Sequence, residues 1–65
     1  MLKVGDTIKI VNMSDEPQYA GKEGVVEHIS TDPWGDLRAD GTWGGCALYP
    51  KVDTYTIIKR ADDGE

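Results

Sequence analysis

Eight glycines and three prolines cut this chain into short β-branched runs that recur about every ten residues. Between them no apolar stripe of 3.6-residue period lasts long enough to build a helix. The punctuation therefore predicts an all-β fold of short strands. Length limits it further, because a 65-residue chain hides only about 60% of its extended surface. Its apolar stock is also thin: 38% hydrophobic residues, no phenylalanine, and thirteen Leu, Ile or Val side chains. Few buried positions are left over for a catalytic cleft, so a non-enzymatic role is expected.

The first run, Asp6 to Met13, alternates Ile8 and Ile10 with Thr7 and Lys9. A polar stretch from Ser14 to Gly21, broken by Pro17, follows it. Gly24 to Ser30 forms the second run, around Val25, Val26 and Ile29, and Thr31-Asp32-Pro33-Trp34-Gly35 supplies turn chemistry. The middle of the chain offers two hairpin turns. Asp40-Gly41 is the stronger dipeptide by propensity. Gly44-Gly45 instead leaves a strand from Leu37 to Trp43 that turns Leu37, Ala39, Gly41 and Trp43 inward without a break. The second is preferred, and it returns Cys46 and Leu48 to the inner face of a fourth strand.

Tyr49-Pro50-Lys51-Val52-Asp53 reads as one 3-10 turn before a last strand, Thr54 to Lys59. The expectation is a five-stranded SH3-like barrel over residues 1–60, with a disordered acidic tail at 61–65. That tail matters to the charge, since it holds three of the twelve acids in a chain of net charge −5. Residues 1–60 carry seven basic against nine acidic side chains, a balance of −2. The cations are scattered singly apart from Lys59-Arg60, which gives nucleic acid little to grip.

A lone cysteine, Cys46, forms no internal disulfide, and no apolar run reaches membrane-spanning length. A reducing cytoplasm is the expected compartment, with no membrane association and a monomeric state. His28 is the only histidine, and no CxxC or alternating-oxygen loop accompanies it, so no metal site or cofactor is expected. Cys46 reads as a small buried side chain and His28 as a partly exposed strand residue. Asp6 and Asp53 are placed to bond nearby backbone N–H groups.

Gly5-Asp6-Thr7-Ile8-Lys9-Ile10 followed by Gly21-Lys22-Glu23-Gly24-Val25-Val26 resembles the KOW-type opening of ribosomal and transcription-factor barrels. More of the chain, about residues 4 to 58, resembles a family of short bacterial, phage and mobile-element proteins known as domain of unknown function 4314. The shared features are Gly5-Asp6-x-Ile8-x-Ile10 with Met13, the Gly21–Gly24 turn with Val26, and Leu48-x-Pro50-x-x-Asp53-x-Tyr55. The chain departs from that family at Gly41-Thr42-Trp43-Gly44-Gly45, where a Trp-Asp-Asn-Gly turn is more usual. What the resemblance implies is an SH3-like fold, with no activity to carry over.

Aromatic residues in loops are the functional lead. In an SH3-like barrel Tyr19, Trp34, Tyr49 and Pro50 would be neighbours, with Asp15, Glu16 and Asp32 at the rim. An aromatic floor with an acidic edge suits an extended or proline-containing peptide carrying a cation. The competing reading folds Trp34 back to cap a core that lacks phenylalanine. Gly5, Gly21, Gly24, Gly44 and Gly45 are read as turn glycines. Protein or peptide recognition is thus the expected function, with KOW-like RNA binding as the alternative and an acidic phage-type decoy behind both.

Overall fold

The computed structural model describes residues 2–61. Strands β1 (Thr7–Asn12), β2 (Glu23–Thr31), β3 (Leu37–Gly41) and β4 (Thr54–Lys59) form one antiparallel sheet in the order β3-β2-β1-β4. Alternation sets the faces. Ile8 and Ile10 are buried while Lys9 and Val11 face solvent, and Ile57 and Tyr55 lie opposite Ile8 and Ile10 on the inner face. β2 serves two neighbours: Glu23–Val25 pair with β1, and Val26–Thr31 pair with β3. A register shift between Val26 and His28 bends the strand at the handover.

The core gathers Leu2, Ile8, Ile10, Met13, Val26, Ala39, Trp43 and Leu48, flanked by Tyr19, Ile29, Cys46, Tyr55 and Ile57. Trp43 fills the space that phenylalanines would otherwise take. Two glycines make room for it: a Cβ on Gly41 would overlap the indole and the Val25 carbonyl, and one on Gly24 would press on the Trp43 backbone and ring. The indole N–H donates to the Cys46 carbonyl at 2.7 Å. Thr42 stitches the same corner to β2, accepting the Val25 N–H on its hydroxyl and donating its own N–H to the Val25 carbonyl.

This corner corrects the expected fourth strand. Neither two-residue hairpin forms: β3 ends at Gly41, and the chain loops out until Leu48 pairs with Ala39 through two 2.8 Å bonds. Residues 43–46 are curled by the Trp43–Cys46 bond, with Gly44 at φ +147, and cannot run extended beside β3. What was expected as a strand is one bridge. The 3-10 helix is also elsewhere, at Pro17–Tyr19, where the ring of Pro17 presets the first φ. Before β4, the Tyr49 carbonyl accepts from both Val52 and Asp53, making a single turn of mixed pitch. Of the expected acidic tail, all but Ala61 lies outside the described residues. No helix among the described residues is long and apolar enough to cross a membrane.

Candidate functional site

Asp53 builds the site. It is buried, and it joins two loops that are far apart in sequence. One oxygen accepts the Ser14 backbone N–H at 3.1 Å and the Ser14 hydroxyl at 3.4 Å; the other accepts the Tyr49 N–H at 2.9 Å. Those bonds hold the segment after β1 against the turn before β4. A pocket of about 200 Å³ opens between them, lined by Met13, Asp15, Glu16, Arg38, Cys46, Ala47, Tyr49, Val52 and Asp53. Ligand pockets usually run from about 300 to 1,000 Å³, so this one takes a single large side chain and not a whole small molecule.

The base of the pocket is apolar, and its charge is mixed. Arg38 reaches in from β3 and pairs with Asp40 at 3.5 Å. Asp40 first, then the Tyr49 hydroxyl, hold its guanidinium more firmly protonated than usual. With Arg38 occupied by Asp40, the carboxylates of Asp15 and Glu16 give the mouth an acidic character. Cys46 is poorly placed for nucleophilic chemistry. Burial pushes its thiol up, and the nearby Glu16, Asp53 and Asp15 carboxylates push it further. A thiol held protonated in this way is a weak nucleophile. Among the described residues no group of three or more His, Cys, Asp or Glu side chains is placed to hold a metal ion.

Of the residues singled out from the sequence, Tyr49, Asp15 and Glu16 meet in this pocket. Tyr19 does not line it. Its ring packs by Gly44 and on the core, and Lys22 sits 5.7 Å above the ring. Pro50 is half-buried in the turn beside Tyr49, outside the lining. Trp34 stands apart at the tip of the β2–β3 connection, 84% exposed, and does not cap the core. The turn glycines divide: Gly5, Gly21 and Gly44 take positive φ, as does Gly35, whereas Gly24 and Gly45 do not. Gly24 is needed for close approach to Trp43 instead.

Arg38, Cys46, Ala47, Val52 and Met13 line the pocket, and the sequence pattern places none of them at a binding site. Val52 carried the one usable signal, an apolar β-branched residue inside a short polar turn. The alternation of β3 turns Arg38 outward, between Leu37 and Ala39; only the approach of the Tyr49 turn makes that side of β3 a pocket wall. No family model, curated protein or solved structure matches this chain.

Proposed function

We propose that this protein is a small non-catalytic binding or accessory domain that recognises a protein partner through an extended peptide segment. The pocket between residues 13–16 and 46–53 carries the reading: its apolar base and acidic mouth suit a side chain with a long aliphatic stem and a cationic tip. The bonds of Asp53 preorganise it, which lowers the ordering cost of binding. The raised thiol of Cys46 supports the non-catalytic part. We further propose that the architecture is a reduced SH3-like barrel, in which Leu48 stands for the fourth strand. The handover of β2 and the pairing of β4 with β1 support this. It agrees with the resemblance to domain of unknown function 4314.

A display selection with random linear peptides tests the function. Peptides pairing a Lys or Arg with an apolar neighbour should be enriched on the wild type and lost on Tyr49→Ala and Glu16→Gln. Enrichment unchanged on both variants would contradict the assignment. The KOW-like RNA-binding alternative gains little from the geometry, because the cations near the loops are engaged. Lys51 pairs with Asp36 at 3.4 Å, and Lys22 covers Tyr19. That alternative requires RNA binding that weakens steeply with salt.

A further inference from the structure

Trp34 stands in solvent on a turn that its own backbone bonds hold. One oxygen of the Asp32 carboxylate accepts the N–H groups of Trp34 at 2.9 Å and Asp36 at 2.8 Å. The Asp32 carbonyl accepts from Gly35, whose φ of +85 closes the turn, and the Asp32 N–H donates to the Asp36 carbonyl. The indole is therefore presented on ordered backbone, and a contact made through it costs little loop entropy.

The fold sets this turn beside the pocket. Lys51, in the turn that carries Tyr49 and Val52, pairs with Asp36 at 3.4 Å. Arg38 on the pocket wall is four residues along the chain from Trp34, so their Cα atoms are at most about 14 Å apart. The charge of this end is one-sided once its ion pairs are set aside. Asp40 matches Arg38, and Asp36 matches Lys51. Asp15 and Glu16 at the pocket, and Asp32 in the Trp34 turn, have no cation paired with them among the described residues. The second oxygen of Asp32 makes no hydrogen bond among them either.

We propose that the partner segment is basic, with two cationic residues four positions apart. One enters the pocket; the other, an arginine, stacks on the Trp34 indole with its guanidinium toward Asp32. This second anchor rests on the peptide reading of the pocket and extends it from one side chain to a spacing. The indole is the best aromatic face for a cation, and a guanidinium both stacks on a ring and pairs with a carboxylate. In an extended chain, side chains four positions apart share a face and lie about 13 Å from each other, comparable with the span from the pocket wall to Trp34. An indole also stacks nucleobases, but three unpaired carboxylates at this end repel phosphates.

Three end-blocked peptides, each titrated into ¹⁵N-labelled protein, test the spacing. Thr-Arg-Val-Thr-Val-Arg-Thr carries both arginines on one face. Thr-Arg-Val-Thr-Arg-Val-Thr has the same composition with the arginines on opposite faces, and Thr-Arg-Val-Thr-Val-Gln-Thr keeps only one. All three should shift the Glu16, Tyr49 and Val52 amides. Only the first should also shift the Trp34 indole N–H, and it should bind about three- to tenfold more tightly than the second. Trp34→Ala, at an exposed position, should bind the first two peptides equally, and Trp34→Phe should keep part of the preference. Pocket amides that move while the indole stays still, equal affinities on the wild type, or a preference that survives in Trp34→Ala would overturn the second anchor and leave the pocket reading standing. An indole moved by a uridine oligonucleotide and not by the first peptide would overturn it in favour of nucleic acid. Pocket amides unmoved by all three peptides at about 5 mM would overturn the pocket reading and the second anchor together.

Discussion

The buried carboxylate of Asp6 accepts the backbone N–H of Ala61 at 2.7 Å, joining residues 55 positions apart. Its other oxygen accepts the Lys3 N–H at 2.9 Å and lies 3.8 Å from the Arg60 guanidinium. Burial pushes this carboxyl up, but the two N–H bonds and the charges of Arg60 and Lys3 outweigh it and hold it below its usual 3.8. A carboxylate depressed in the folded state stabilises fully above its unfolded value, and that contribution is lost as pH falls through the lower folded value. Asp6→Asn should therefore cost about 2 kcal/mol at pH 7 in urea denaturation. The difference from wild type should shrink as pH falls below 3.8.

Gly41 and Gly45 lie four residues apart and should respond differently to the same methyl group. Gly41→Ala forces its Cβ into the Trp43 ring and the Val25 carbonyl and should cost about 1–3 kcal/mol. Loss of the near-ultraviolet circular dichroism of the buried indole should accompany it. Gly45 has open space and no positive φ, so Gly45→Ala should stay within about 0.5 kcal/mol of wild type.

Asp53 holds the two walls of the pocket together. Asp53→Ala removes three hydrogen bonds and should cost about 2 kcal/mol by thermal denaturation. The Ser14 and Tyr49 amides should lose hydrogen-exchange protection first, ahead of the strands.

Cys46 should alkylate with iodoacetamide at pH 8 more slowly than free cysteine, because burial and three carboxylates keep it protonated. Glu16→Gln should speed the reaction by removing one of those charges. Cys46→Ala should leave peptide binding in place.

Much of the sheet was legible in the alternation of single runs. Ile8 and Ile10 marked β1, Val26 and Ile29 marked β2, and Tyr55 and Ile57 marked β4 within a residue or so of their ends. Trp43 was also readable as a core residue, from its place in the inward series that begins at Leu37. The loop after it was not. Its path depends on an indole that needs Gly24 from one strand and Gly41 from another, and on a bond from that indole to the Cys46 carbonyl. None of these demands leaves a local pattern around Cys46–Leu48. The pocket was half-visible for the same reason. Tyr49, Asp15 and Glu16 stand in loops that turn chemistry flags, whereas Arg38 joins them only through the approach of a turn eleven residues on.

The central claim is that the pocket, and not another face of the sheet, is where this protein binds. Titrating ¹⁵N-labelled protein with the strongest selected peptide tests it directly. The account predicts backbone shifts at Met13, Glu16, Cys46, Tyr49 and Val52, with Lys9 and Thr56 on the outer face unmoved. Shifts centred on Lys9 and Thr56, with the pocket residues still, would contradict it.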